Sequence, residues 1–187
     1  MKKSILIGGL VVIVVIVGYL WSTYNGLVSA NEAIDGQWAQ VQTQYQRRLD
    51  LIPNLVASVK GIMVQEQKVF DDLAQARTQY GNATSVNDKA AAASQVEGAL
   101  GRLLVVMENY PQLKSSDTVQ TLMTQLEGTE NRVSVERKRF NDNVQSYNIM
   151  IKRFPANMLA GVFGFSNRTY FQADTGAATA PTVNLQN

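Results

Sequence analysis

The sequence contains no cysteine and no histidine among its 187 residues, and each absence excludes a class of protein. Without cysteine there is no disulfide framework, no thiolate nucleophile and no attachment point for a lipoprotein anchor. Without histidine the most common general base is missing, together with the usual ligand of zinc, copper and di-iron sites. We therefore expect a protein that holds no metal or other cofactor and that is not an enzyme.

Carboxylates are the side chains on which an enzyme could still be built. A pair of them could act as the acid and base of a glycosidase, but long helices seldom form the deep cleft that such an enzyme needs. Glu127 and Glu130 share a helix face, yet di-metal sites in helical bundles use a Glu-x-x-His pattern. The composition therefore favours a structural or binding protein over a catalyst.

Charge is scarce and unevenly placed along the chain. The formal net charge is +2, and Lys2 and Lys3 are the only charged residues before Glu32. The 15 basic residues that follow balance the 15 acidic ones, so the rest of the chain is neutral. Because nucleic acid binding needs clustered Lys and Arg, no nucleic acid partner is expected.

A long apolar run follows the two N-terminal lysines. Residues 5–21 carry no charge and would span roughly 26 Å as a helix, which is near the lower limit for crossing a bilayer. Tyr19, Trp21 and Tyr24 fit the aromatic belt of a membrane interface. A cleaved signal peptide is the competing interpretation, but the run is longer than a typical signal core, and the small residues 28–30 lie too far beyond it.

The distribution of lysine and arginine predicts the topology. Lys2 and Lys3 precede the apolar run and no Lys or Arg follows until Arg47, so the positive-inside rule places the N-terminus in the cytoplasm. The lipid bilayer is thus the first predicted partner. The predicted organisation is a cytoplasmic N-terminus (1–4), one transmembrane helix in the cytoplasmic (inner) membrane (5–23), an extracytoplasmic helical domain (24–171) and a flexible C-terminal tail (172–187).

An apolar heptad repeat continues from Tyr24 to Tyr80 and predicts one helix from about residue 25 to Tyr80. Three polar residues interrupt the seam, namely Asn31, Arg48 and Glu66. Pro53 should kink this helix because it lacks a backbone N–H and its ring clashes with a carbonyl one turn earlier. Since the seam keeps its register on both sides of Pro53, a kinked continuous helix is favoured, and a helical hairpin at Pro53 is the second interpretation.

Two further long helices are predicted in the body of the chain. Ser85 is a helix N-cap, and that helix should continue to the Tyr110-Pro111 pair. The next helix should begin near Ser116 and end at Pro155. Residues 157–165 are apolar and predict a short helix or a packed loop. The fold class is therefore all-α, with three to four long helices after the transmembrane segment. The last long helix carries an apolar stripe that is predicted to be core, namely Val119, Leu126, Val133, Phe140, Tyr147 and Phe154.

Several short motifs are distributed along the chain. They include Tyr24-Asn25-x-Leu27-Val28, Trp38-x-x-Val41, Arg47-Arg48-x-Asp50-Leu51-Ile52-Pro53-Asn54, Glu108-Asn109-Tyr110-Pro111, Tyr147-Asn148, Phe154-Pro155-x-Asn157 and Gly164-Phe165. In this combination they resemble the LemA family of bacterial membrane-anchored helical proteins. The resemblance covers the chain to about Phe171 and implies an up-and-down antiparallel helical bundle after one membrane span, with no established enzymatic activity.

The polar interruption at Arg48 is a candidate site. In the structural interpretation Arg48 is buried in the bundle and pairs with Glu108 or Glu130, which fixes helix register. In the functional interpretation the arginine and the nearby Asp50 flank a binding site for an anionic ligand at the Pro53 kink. The structural interpretation is favoured, because polar residues on helical seams usually specify partners.

The predicted helix lengths also suggest self-association. A continuous first helix would be longer than the second, so the part of its seam nearest the membrane would lack an intramolecular partner and would be expected to bind another copy of the chain. This predicted stalk seam consists of Tyr24, Leu27, Ile34, Trp38, Val41 and Tyr45.

Two functions from different classes follow from these observations. The first is a non-enzymatic scaffold or adaptor that is anchored in the membrane and assembles outside it as a homo-oligomer. Other membrane or envelope proteins would be its further partners. The alternative is a ligand-sensing or binding module with its site near Arg48 and Pro53.

Overall fold

The computed structural model describes residues 2–172, and these residues form α-helices without any strand. The predicted fold class, an apolar N-terminal helix followed by a bundle of antiparallel helices, is confirmed. The predicted flexible tail lies, from residue 173 onward, outside the described residues. The helices are α1 (Lys2–Val59), α2 (Gln67–Asn82), α3 (Val86–Met107), α4 (Pro111–Lys114), α5 (Asp117–Met150) and α6 (Ala156–Phe163).

The first helix continues through Pro53 and ends at Val59. Its continuity at Pro53 agrees with the favoured interpretation, and the helical hairpin at that proline is not formed. The predicted extension to Tyr80, however, is wrong. Residues 60–66 form a connection, and the chain resumes as the separate helix α2. The predicted first helix is therefore two helices.

The connection between α1 and α2 is held by short-range backbone hydrogen bonds and one buried side chain. The amide of Met63 donates to the carbonyl of Val59 at 3.0 Å, and the amide of Glu66 donates to the carbonyl of Met63 at 3.3 Å. The side chains of Val59 and Met63 are fully buried. Gly61 lies between them and disfavours a continued helix, because glycine loses the most backbone entropy on becoming helical.

Folding back at residues 60–66 gives the apolar seam a partner within the chain. The rings of Tyr45 on α1 and Tyr80 on α2 lie 5.4 Å apart, centroid to centroid. Leu73, Ala76 and Tyr80, which lie on the heptad repeat that runs from Tyr24 to Tyr80, are buried. The heptad register thus survives the connection, which is why register alone did not distinguish one long helix from two.

Helices α3 and α5 begin where the sequence predicts, whereas the short helix α4 was not predicted. The Ser85 hydroxyl accepts a hydrogen bond from the backbone amide of Asp88 at 3.0 Å, so the predicted N-cap of α3 is confirmed. The aromatic stripe of α5 is confirmed at Phe140 and Tyr147, which are buried. It is wrong at Phe154, which is 80% exposed because α5 ends at Met150, four residues earlier.

Two compact units share α1 and α5, and each is described separately. The first unit combines the part of α1 up to Val41 with Glu136–Tyr170. Within it, the side-chain amide of Asn143 donates to the carbonyl of Ala33 at 3.3 Å, and Gln37 donates to the Glu136 carboxylate. Because residue numbers rise on α5 as they fall on α1, these two helices are antiparallel.

The second unit consists mainly of Gln42–Val135 and contains α2, α3 and α4 with the adjoining parts of α1 and α5. Within it, Arg102 on α3 forms an ion pair with Asp72 on α2 at 3.6 Å, and Lys89 lies 4.8 Å from the ring centroid of Tyr80. These pairs make α2 and α3 antiparallel. The second unit therefore contains four long helical segments.

Two of the described helices are long and apolar enough to cross a membrane by length and composition. In α1 none of the residues of the apolar stretch is buried, whereas nearly half of the residues of the apolar stretch in α3 are buried. The buried positions of α3 belong to the core of the second unit and include Ala93, Val96, Leu100 and Leu103. The exposed apolar surface of α1 is the membrane candidate, because such a large apolar surface is unfavourable in water.

Candidate functional site

The Arg48 side chain lies in the interior of the second unit. Its position on the heptad seam of α1 carries it into the core, where the residue is 7% exposed. A guanidinium nitrogen donates to a carboxylate oxygen of Glu130 on α5, and the same nitrogen lies 3.6 Å from a carboxylate oxygen of Glu97 on α3. A buried charge requires such pairing, because an isolated ion is strongly disfavoured in a low-dielectric interior.

Glu97 is the most perturbed acid of this cluster. Burial and the neighbouring Glu130 carboxylate raise its pKa to about 7, and the Arg48 guanidinium opposes the shift. The hydroxyl of Tyr45 donates to a Glu97 carboxylate oxygen at 3.4 Å. The cluster therefore joins α1, α3 and α5 through one cation and two carboxyl groups, and one of these carboxyl groups changes charge near neutral pH.

The structure unites only part of the predicted polar site. Arg48 and Glu130 are paired, as the structural interpretation expects. Asp50 is exposed and accepts a hydrogen bond from Gln46 at 2.8 Å. Glu108 is exposed at the end of α3, where it lines a groove of about 590 Å³ with Met107, Leu113 and other residues. Neither side chain belongs to the Arg48 cluster.

Glu97 was missed by the sequence analysis. Its signal is its isolation, since it is the only charged residue between Lys89 and Arg102 in an alanine-rich helix. An acidic group beside the apolar residue Val96 indicates a partly buried position that needs a partner. The partner is Arg48, and its choice depends on how α3 packs against α1.

The second unit also has a groove whose lining includes Arg47, the residue directly before Arg48 in the chain. It has a volume of about 510 Å³ and is lined by residues of α1 and α5, among them Arg47, Thr129 and Arg132. Arg47 and Arg132 are exposed, whereas Thr129 is buried and donates to the carbonyl of Leu126. Two exposed guanidinium groups along one groove suit an anion better than the buried and paired Arg48 does.

The predicted stalk seam is largely covered by the chain itself. Leu27, Ile34 and Val41 are fully buried, and the ring of Trp38 lies 5.5 Å from that of Phe140 on α5. The expectation that this stretch lacks an intramolecular partner is therefore wrong. The end of α5 and the segment after it cover the stretch up to Val41, and Tyr45 is buried within the second unit. Homo-oligomerisation itself stays a prediction, but this seam no longer provides its argument.

A second polar cluster, in the first unit, was also missed. Arg168 pairs with Asp35 and donates to the side-chain oxygen of Asn31 at 3.2 Å. The amide side chain of Asn148 both donates to the Arg168 carbonyl and accepts from its backbone amide, each at 2.9 Å. Asn31, a polar interruption of the seam, thus has a structural partner. This cluster holds the chain after α6 against α1 and α5.

The charged side chains of each cluster form ion pairs with one another. Among residues 2–172 no three or more acidic side chains converge to form a metal site. Glu130 contacts Arg48, and Glu127, one turn earlier on α5, is exposed. The arrangement can fix helix register and, at Glu97, bind or release a proton.

Comparison with known proteins extends these observations. The family model for the LemA family matches residues 37–185 of the chain. Magnetosome proteins MamQ 1 and MamQ 2 of Paramagnetospirillum magneticum (strain AMB-1) are each 28% identical to the chain over 200 aligned positions, covering 93% of this chain and 73% of the relative. Magnetosome protein MamQ of Magnetospirillum gryphiswaldense is 26% identical over 189 positions, covering 87% and 69%. The Arg48 cluster lies inside the matched region.

Proposed function

Because the chain belongs to the LemA family, we propose that it is a non-enzymatic scaffold, anchored in the cytoplasmic membrane, whose helical bundle binds other protein chains outside the cytoplasm. One observation carries this proposal. The uninterrupted helix α1 exposes the large apolar side chains of residues 6–17 and continues into the cores of both units. The same helix therefore provides a membrane contact and a framework on which the other helices pack.

Charge supports the proposed orientation. Lys2 and Lys3 precede the apolar segment, and the first basic residue after it is Arg47. This asymmetry favours a cytoplasmic N-terminus and an extracytoplasmic bundle. The remainder of the chain carries no net charge, which favours protein partners over nucleic acid.

The polar clusters support a structural role rather than catalysis. Arg48 is engaged by Glu130 and Glu97, and Arg168 is engaged by Asp35, Asn31 and Asn148. Groups that are paired within the protein fix its geometry and are poorly placed to meet a substrate. The curated relatives are named for the magnetosome rather than for a reaction, which agrees with this role.

The proposal includes homo-oligomerisation. Anchoring confines every copy to the same surface and orientation, which raises the effective concentration for self-association. The second unit also exposes large apolar side chains that could form a contact, namely Ile62, Val64 and Val105. Isolated exposed apolar residues are common, so the concentration effect is the stronger support.

Cross-linking in native membranes tests the scaffold proposal. A photoreactive amino acid at Val105, which is 65% exposed, should give covalent adducts with a second protein chain that mass spectrometry identifies. Adducts with the same sequence would support a homo-oligomer, and one reproducible partner of different sequence would support an adaptor. The control position is the exposed, polar Lys138. Recovery of monomer alone from Val105, Val64 and Ile62 would contradict the proposal.

The groove lined by Arg47 and Arg132 favours a second candidate function, the binding of an anionic ligand. Native mass spectrometry of the purified chain should then detect a retained small anion, which Arg47→Gln combined with Arg132→Gln would remove. Arg139→Gln is the matched control, because Arg139 is also exposed but pairs with Glu136 at 2.9 Å. No mass in excess of the sequence mass in the wild type, or the same excess in the wild type and the double variant, would exclude this candidate.

A further inference from the structure

We infer that α6 lies in the lipid–water interface beside the end of the membrane-spanning part of α1, as a second contact between this protein and the bilayer. This inference rests on the proposed membrane anchorage. It starts from the reversed amphipathicity of α6. Its buried positions are the small residues Ala156 and Ala160, whereas Met158 and Val162, also spaced four residues apart, are 64% and 79% exposed.

Such an arrangement is the opposite of the usual surface helix. A helix that packs on a soluble protein places its large apolar residues inward and its polar residues toward water. In α6 the small face contacts the protein and the large apolar face points away from it. The neighbouring Phe154 and Phe163 are also exposed. An apolar surface of this kind is stable when something other than water covers it.

The composition of the segment matches a lipid environment. Residues 154–167 contain no charged side chain. The helix ends at Gly164, whose positive φ of 75° is readily adopted by glycine, and the amide of Phe165 donates to the carbonyl of Ala160 at 2.9 Å. This hydrogen bond satisfies the Ala160 carbonyl near the end of the helix, and satisfied backbone groups are required where a helix end enters an apolar medium.

The position of α6 identifies the bilayer as the occupant. The ring of Phe163 lies 4.8 Å from that of Tyr24 on α1, and the ring of Phe165 lies 5.9 Å from it. Tyr24 follows Trp21, the last residue of the apolar run, by roughly 4.5 Å along the helix axis. Trp21 and Tyr19 are exposed, as expected of an interfacial aromatic belt. The exposed face of α6 therefore continues the apolar surface of α1 at the level where lipid gives way to water.

Two cations flank the apolar segment on its N-terminal side. Lys152 and Arg153 are exposed and directly precede Phe154. At the surface of a membrane they would contact phosphate groups of anionic lipids while the apolar face enters the outer acyl region. Arg168 on the other side is engaged by Asp35 and remains part of the contact with α1.

Site-specific fluorescence in vesicles tests this inference with the full chain. Because the chain has no native cysteine, single substitutions can be labelled cleanly with an environment-sensitive fluorophore. Val162→Cys reports on α6, Val12→Cys on the centre of the apolar run, and the exposed Ala39→Cys on a part of α1 that lies roughly 27 Å beyond Trp21. The vesicles contain phosphatidylcholine and phosphatidylglycerol with nitroxide lipids labelled near the headgroup or deep in the acyl chain.

The inference predicts a separate result at each site. The label at Val162 should lose roughly half its fluorescence to the shallow nitroxide and less to the deep one, as expected about 5–10 Å below the surface. The label at Val12 should respond more to the deep nitroxide, and that at Ala39 to neither. Quenching at Val12 without quenching at Val162 would overturn the inference and leave the anchor intact.

Two further outcomes have defined meanings. A Val162 label that is shielded from aqueous iodide but not quenched by lipid would show that a second protein chain covers α6, which also overturns the inference. Absence of quenching at Val12 would contradict the membrane anchor on which the proposed function depends. The two failures are therefore distinguishable within one set of samples.

Discussion

At the scale of single residues, Glu97 connects the buried cluster to the pH of the surroundings. Burial, together with the Glu130 carboxylate, raises its pKa from 4.5 to about 7, so the folded protein holds this proton more tightly than the unfolded chain does. The contribution to the free energy of unfolding is therefore fully present below pH 4.5. It declines as the pH rises and is lost above about 7.

Replacing this carboxyl group should remove the pH dependence that it causes. We expect Glu97→Gln to raise the free energy of unfolding by roughly 1–3 kcal/mol at pH 8 and to change it little at pH 5. The amide keeps an oxygen that can accept from the Tyr45 hydroxyl. Urea unfolding of the detergent-solubilised chain, followed by circular dichroism at both pH values, measures the difference. Equal effects at pH 5 and pH 8 would contradict the assignment.

The Arg48–Glu130 pair should contribute to stability because Arg48 is buried. Glu130→Gln leaves the guanidinium with Glu97 as its remaining carboxylate partner, and we expect a loss of roughly 1–3 kcal/mol because Glu130 itself is partly exposed. Glu127→Gln, one turn earlier on α5, is the matched control and should stay within about 0.5 kcal/mol of the wild type. Equal midpoints in urea for both variants would show that the pair is not needed.

At the scale of helices, the connection between α1 and α2 determines the architecture of the second unit. Met63 is fully buried in this connection, whereas the adjacent Val64 is 63% exposed. We expect Met63→Ala to lower the free energy of unfolding by roughly 2–5 kcal/mol, because it leaves a cavity at the point where the chain reverses. Val64→Ala is the control and should change it by less than about 0.5 kcal/mol. Equal losses in the two variants, measured by urea unfolding, would contradict this account of the turn.

The same connection shows where sequence reasoning reaches its limit. The heptad pattern correctly identified Leu73, Ala76 and Tyr80 as buried, but it could not show whether they pack against a second molecule or against α1. Both arrangements bury the same positions. The choice depends on backbone cost near Gly61 and on tertiary contacts such as Tyr45 with Tyr80, which periodicity does not encode.

The capped start of α3 was more predictable than the partners of the helices or the residues at which α1 and α5 end. The Ser85 cap is a local interaction between neighbouring residues, so the sequence alone identified it. Glu97 and Arg168 were missed because their partners lie far away in sequence, on other helices. Phe154 was assigned to the core by its spacing from Tyr147, although α5 had already ended. The spacing of residues along the sequence predicts which helix face they share only as long as the helix continues through all of them.

At the scale of the whole chain, α1 joins an exposed apolar segment to the helices of both units. Its first part exposes apolar side chains, and its later parts lie in the cores of both units. The N-terminal apolar helix and membership of the LemA family indicate a membrane-associated helical protein. Because Leu27, Ile34 and Val41 are buried within the chain, a contact between copies would have to form on a surface other than this seam.

The central claim, a bundle anchored outside the cytoplasm, is tested most directly by thiol labelling in intact cells. The exposed Ala39→Cys is suitable because the chain has no other cysteine. The account predicts that a membrane-impermeant maleimide labels this variant in intact cells with a permeable outer envelope and that the labelled chain sediments with membranes. Labelling only after the cytoplasmic membrane is broken, or a labelled chain in the soluble fraction, would contradict it.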